Sequence, residues 1–189
     1  QGMPSAPHLD FAGEIKQKTK FPIFHAAKIN DVATARHAVA SGKLDMVGMT
    51  RAHIADPYIV KKIIENKEDT IRPCVGATYC LDRIYEGKET LCIHNAATGR
   101  EQYMPHEITS KAKKIKKIVV VGAGPAGLEA ARVCAERGHN IVVFEASNSA
   151  GGQINLICKS NRRKDMIGIV DWRLEICKKF NVKIFYDRV

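Results

Sequence analysis

Ile118-Val119-Val120-Val121-Gly122-Ala123-Gly124-Pro125-Ala126-Gly127 decides the fold of this chain. Ile118 to Val121 predicts a β-branched strand, and the glycines that follow fit G-x-G-x-x-G. Pro125 to Arg137 predicts a helix that Gly138 stops. Ile141-Val142-Val143-Phe144 predicts a second strand, closed by Glu145, 18 positions after Gly127. The glycine pattern alone is weak. Between two strands, at the start of a helix and ahead of an acidic residue, it is specific. Gly122 permits a tight turn, Gly124 lets backbone N–H groups approach a pyrophosphate, and Gly127 lets helix and strand pack closely. The helix N-terminus offers unpaired N–H groups and a positive dipole end to the phosphates. Glu145 can accept hydrogen bonds from ribose hydroxyls and would repel a ribose 2′-phosphate. A second glycine cue follows in Gly151-Gly152-Gln153.

Working outward, residues 1–57 alternate differently. Leu9–Thr19 reads as a helix and Pro22–Ala27 as a buried strand. Val32–Ala40, capped by Asn30 or Asp31 and stopped by Gly42, reads as a helix, and Leu44–Met49 as a strand. Helix, strand, helix, strand with short connections argues for a parallel α/β sheet. Two strands cannot make a sheet buried on both faces, so this stretch is expected to be the end of a larger domain. Residues 58–110 open with a helix over Tyr58–Glu65 and continue as loop-rich sequence holding Pro73, Gly76, Gly87, Gly99 and three cysteines. Residues 111–189 begin with a basic run, carry the glycine turn, and reach another strand at Val182–Tyr186.

Composition sets the limits. The chain has 189 residues, where a complete (β/α)₈ barrel needs about 250. With 45% hydrophobic and 26% charged residues it reads as globular rather than disordered. No apolar stretch is long enough to span a membrane. No secretory signal is visible, so a cytoplasmic location is expected. The first residue is not Met, which points to a start that is not native. The net charge of +10 raises nucleic acid as a partner. Its one dense run, Lys111–Lys117, reads instead as a solvated linker, and Arg162-Arg163-Lys164 as an exposed loop. Excess positive charge also suits a protein that holds several phosphate groups.

Without a signal sequence, six cysteines argue for metal binding or burial rather than disulfides. Cys134 and Cys177, in expected helices, read as buried small hydrophobes, and Cys158 has no assigned role. Cys74, Cys80 and Cys92 fall within 19 residues and form a candidate metal set.

Arg72-Pro73-Cys74-Val75-Gly76, Cys80-Leu81-Asp82 and Cys92-Ile93-His94-Asn95 resemble the iron–sulfur loop of a flavoenzyme group. That group contains 2,4-dienoyl-CoA reductase, trimethylamine and histamine dehydrogenases and related N-demethylases. Its members join an old-yellow-enzyme barrel, a [4Fe–4S] cluster and a glutathione-reductase-like domain, in that order. The strand, glycine turn, Glu145 and Gly151-Gly152 likewise resemble the FAD domain of glutathione-reductase-like flavoproteins. Ala77 departs from the pattern, which places a cysteine there. Three thiolates leave open a cluster with a non-cysteine fourth ligand, a three-iron cluster, no cluster, or zinc completed by water or His94.

The resemblance implies an α/β fold of three parts. Residues 1–57 are the last two units of a (β/α)₈ barrel, 58–110 the iron–sulfur segment and linker, and 111–189 part of a Rossmann-type FAD/NAD(P)-binding domain. It implies FMN in the barrel, its phosphate held by backbone N–H groups near Ala27-Lys28 and Gly48-Met49 and by Arg51. It implies FAD, or ADP, on Gly122, Ala123, Gly124, Pro125, Ala126, Gly127, Glu145, Gly152 and Gln153. The implied activity is that of an NADH:flavin oxidoreductase-type enzyme, passing electrons between substrate, FMN, cluster and the nucleotide domain. The alternatives are an amine dehydrogenase or N-demethylase with structural ADP, and a non-enzymatic nucleotide-binding module. A small-molecule substrate is expected, with NAD(P)H taken by a second nucleotide unit absent here and a homo-oligomer allowed. The first six barrel strands are also absent, so the 189 residues alone are expected to show no turnover.

Overall fold

The computed structural model describes residues 3–188, so the outer limits of the first and third segments, 1 and 189, lie outside the described residues. The first segment contains α1 (Leu9–Gln17), β1 (Phe24–His25), α2 (Val32–Ala40) and β2 (Met46–Val47). β1 and β2 pair in parallel, Phe24 beside Met46 and His25 beside Val47. Asp31 caps α2, its carboxylate accepting from the Thr34 backbone N–H at 2.7 Å and hydroxyl at 2.8 Å. Leu9, Ala12, Ile29, Ala38 and Leu44 form a small core beneath. The buried strand expected over Pro22–Ala27 shrinks to two residues, and Phe24 is 62% exposed. Successive strand side chains point to opposite faces, and only one face here is covered.

Two short helices, α3 (Thr50–Ala55) and α4 (Ile59–Ile64), lead into the cysteine segment. Buried Asp56 ties this junction. It accepts from the Lys62 ammonium at 2.6 Å, the Arg72 backbone N–H at 2.8 Å and the Tyr58 N–H at 3.0 Å. A loop then carries Cys74 to Thr78, whose φ of +63° precedes α5 (Tyr79–Tyr85).

The third segment contains β3 (Lys117–Val121), α6 (Pro125–Glu136), β4 (Asn140–Phe144), α7 (Gln153–Ile157), α8 (Gly168–Lys179) and β5 (Lys183–Phe185). The strands are parallel in the order β3-β4-β5, with Val121 beside Phe144 and Phe144 beside Phe185. One face is packed: Leu128, Ala131, Ile141, Val143, Ile169 and Val170 share a core with Val75 from the cysteine segment. The other face is open, with Val119 62% and Val121 83% exposed. Phe144 and Phe185 stack there at 5.5 Å between ring centroids.

The basic run is solvated, as its composition predicts. The Lys111 ammonium donates to the Glu136 carbonyl at 2.6 Å, a cation at the negative end of α6. Arg162-Arg163-Lys164 lies in a 3₁₀ turn over Asn161–Ile167. Among the described residues, no helix is long and apolar enough to cross a membrane.

Candidate functional site

The glycine turn forms the first site. Gly122 has a φ of +93°, and its N–H donates to the Phe144 carbonyl at 2.7 Å, locking the turn to the end of β4. A Cβ at Gly127 would collide with the Gly122 carbonyl oxygen, so glycine is required for α6 to start this close to the strand. A Cβ on Gly124 would meet nothing within 4 Å, which leaves the backbone open to an approaching group. Gly124 caps α6 and Pro125 occupies its first turn.

Glu145 sits at the same place. Its carboxylate accepts from the Ala123 N–H at 2.6 Å and the Ser147 N–H at 2.9 Å. The Ser147 and Ala123 hydrogen bonds hold it below the usual carboxylate range. The second glycine pair closes the cradle. The Gly151 N–H donates to the Ala123 carbonyl at 2.9 Å. A methyl group on Gly152 would sit 3.4 Å from the Gly124 Cα, so the two turns are in close contact. Exposed Gln153 opens α7 beside them. The residues singled out for a nucleotide thus come from two turns hydrogen-bonded to each other, plus one strand end.

The cysteines form the second site. Cys74, Cys80 and Cys92 line one cavity with Arg51, Ala77 and His94. The cavity is about 20 Å³, room for one water. Burial raises the Cys74 thiol, with the Arg51 charge opposing it. Among the described residues no three Cys, His, Asp or Glu side chains converge on a position for one metal ion. His94 is turned to another task, its Nδ1 lying 2.9 Å from the Pro73 carbonyl. A mononuclear zinc site needs convergence on a point. In an iron–sulfur cluster each thiolate binds its own iron, so that chemistry does not require the three thiols to meet at one point.

Around the third candidate site, the loops after β1 and β2 touch. The Gly48 N–H donates to the His25 carbonyl at 2.8 Å. Lys28 adopts a φ of +49°, and its ammonium contacts the Met3 carbonyl and, at 3.6 Å, Asp165 of the third segment. Met49 caps α3, and Arg51 in its first turn is half-buried without an ion pair among the described residues. Ala27 is half-buried beside Lys28. Cys134 is only half-buried, whereas Cys177 is buried as expected and its thiol is pushed up to about 11 by burial.

A buried polar junction, unforeseen in the sequence, joins the cysteine segment to the nucleotide unit. Trp172 of α8 donates its indole N–H to the Thr70 carbonyl at 3.0 Å. The Arg72 guanidinium lies 4.5 Å above the Trp172 ring, and His94 meets it edge-on at 5.3 Å. Glu129 pairs with Arg132 at 2.6 Å and Arg173 at 2.8 Å. Burial alone would raise the Glu129 carboxyl, but these cations hold it down to about 2. Burial and the nearby Arg173 push His94 down to about 3, so it is neutral. Glu129, Arg132 and Glu136, three and four residues apart on α6, were the available signal.

These features define an α/β protein with parallel sheets and a dinucleotide-type glycine turn. Residues 120–188 match the family model for an NAD(P)-binding Rossmann-like domain. The chain is homologous to demethylases, dehydrogenases and reductases. It is 65% identical over 187 residues to a probable N-methylproline demethylase of Rhizobium meliloti (strain 1021), covering 99% of this chain and 27% of that protein. It is 52% identical to the multifunctional alkene reductase/demethylase OYE of Caballeronia cordobensis, covering 98% of this chain and 27% of that protein. A solved 2-naphthoyl-CoA reductase in complex with 2-naphthoyl-CoA superposes with a TM-score of 0.92 at 32% identity, over 98% of this chain and 28% of that one. The chain spans about a quarter of the length of the curated relatives it matches.

Proposed function

We propose that the whole protein is a flavin-dependent iron–sulfur oxidoreductase acting on a small N-methylated amine. Residues 1–57 are read as the last two units of a (β/α)₈ barrel, 58–110 as the cluster segment and 111–189 as the start of the FAD- or ADP-binding domain. One observation carries this reading. Val75, one residue after Cys74, is buried in the same core as Ala123 of the glycine turn and Leu128 of α6. Cysteine site and nucleotide site are therefore two faces of one packed unit, a placement suited to electron transfer between them. When bound, flavin and cluster would supply hydride acceptance and single-electron transfer.

The chain's own residues supply the holding. Backbone N–H groups at Gly124, Ala126 and Gly127 and the dipole of α6 receive a pyrophosphate. Glu145 keeps a lone pair on each oxygen beyond its two backbone bonds, available to ribose hydroxyls. Cys74, Cys80 and Cys92 hold the cluster, with Ala77 supplying no fourth thiolate. Arg51, with no ion pair among the described residues, meets the FMN phosphate alongside the N–H groups near Ala27-Lys28 and that of Met49, since the Gly48 N–H is already bonded to the His25 carbonyl. The N-methylated substrate follows from the demethylase names of both curated relatives above.

Acid release of the cofactors from the full-length protein, followed by chromatography, tests this reading. FMN together with FAD is expected. FMN with ADP would assign the nucleotide domain a structural role, and no flavin at all would contradict the proposal.

A further inference from the structure

Arg72 is a buried cation. It is 8% exposed, and among the described residues it forms no ion pair. Its Nε–H has no acceptor there, and its one side-chain hydrogen bond, to the Ala55 carbonyl, is long at 3.5 Å. A buried charge normally carries a partner, because taking an ion out of water is costly. The described neighbours do not supply one. Arg72, Arg132 and Arg173 gather near Glu129, and Glu136 adds the only other carboxylate in the ion pairs of this group. Three guanidinium groups thus face two carboxylates. Asp56 is already committed to Lys62. The imbalance is one positive charge.

Arg72 borders a cavity of about 420 Å³ between the cysteine segment and α6. Arg132, Arg137 and Glu129 border it too, the Glu129 carboxylate already paired with Arg132 and Arg173, and Asn95, Tyr103 and Ser110 contribute polar groups. The volume falls in the range of small-molecule sites, roughly 300–1,000 Å³. A planar guanidinium at the wall of such a cavity is suited to an oxyanion, which it can hold through hydrogen bonds.

We propose that this cavity is a binding site for a small oxyanion, a carboxylate or phosphate group seated against Arg72 and flanked by Arg132 and Arg137. The anion would complete the charge balance of the junction around Trp172 and tie the cysteine segment to the nucleotide unit. The site is separate from the glycine turn, from the cysteine cavity and from the loops after β1 and β2, and it does not depend on a cluster or flavin being present.

The test uses full-length protein with its cofactors bound, so that the other phosphate sites are filled. Calorimetric titrations with inorganic phosphate and with succinate, at ionic strength matched by chloride, separate the two sources. Saturable binding of one of them is expected, with a rise in Tm at saturation. Arg72→Gln should weaken that binding at least tenfold and abolish the rise. Arg137→Ala, at an exposed position, should weaken it severalfold and serves if Arg72→Gln does not fold. No saturable binding of either anion overturns the proposal, as does equal affinity in wild type and the folded variants.

Discussion

In the glycine turn, backbone does the holding. Its N–H and carbonyl groups are tied to β4 and to the Gly151 turn, and only Glu145 adds a side chain. In the cysteine loop, side chains must do it, and the backbone merely brings them around one small cavity. A backbone site is complete once the fold is complete. A thiol site is complete only when its ligands are ionised and its metal has arrived. The first should therefore be sensitive to added volume and indifferent to chemistry, and the second the reverse.

The largest expected effect follows from that contrast. Gly127→Val places atoms against the Gly122 carbonyl. Bound nucleotide should fall to background in equilibrium dialysis, with a stability loss of about 1–3 kcal/mol or more by denaturant titration. Cys92→Ala should leave the fold nearly as stable, since Cys92 is only half-buried. It should remove the iron, read as loss of the visible cluster absorbance, while nucleotide binding persists. If nucleotide is lost as well, the two sites are not built independently.

Acid provides a third probe. The folded values of His94 and Glu129, about 3 and about 2, lie below their unfolded values. The unfolded chain therefore binds more protons, and stability falls as pH drops, first through the His94 window from 6.5 and then below 4.5 as Glu129 joins. At about 1.4 kcal/mol per pKa unit, the loss amounts to several kcal/mol. Denaturant midpoints measured from pH 7 to 4 should fall steadily. His94→Asn should flatten the curve between pH 6.5 and 4.5 and leave only the Glu129 slope below that.

The smallest effect is a gain. Ala77→Cys adds a thiol beside the cavity, and the cluster absorbance should bleach more slowly in air than in the wild type. Unchanged bleaching would mean that position 77 does not face the cluster.

The same contrast explains what was legible in the sequence. β3, α6, β4 and the limits of α2 follow from local signals: β-branched runs, a capping Asp31 and stopping glycines. The glycine cradle was legible because its parts lie within about 30 residues and each glycine has a backbone reason. The helices α3 and α5 were not. Each is a short element held by what surrounds it, and α5 starts only after Thr78 takes a left-handed conformation. The Trp172 junction was invisible because its bonds join residues 102 and 79 positions apart, Trp172 to Thr70 and Arg173 to His94. No periodicity reports such pairs. The exposure of Val119 and Val121 was not legible, because a β-branched strand looks the same whether one face or two are covered.

The proposal that Cys74, Cys80 and Cys92 hold an iron–sulfur cluster beside a nucleotide site is tested most directly by metal analysis. Full-length protein purified without oxygen should contain iron and acid-labile sulfide in comparable amounts, both lost in Cys92→Ala. Zinc in place of iron, or iron without sulfide, or neither metal, would contradict the account.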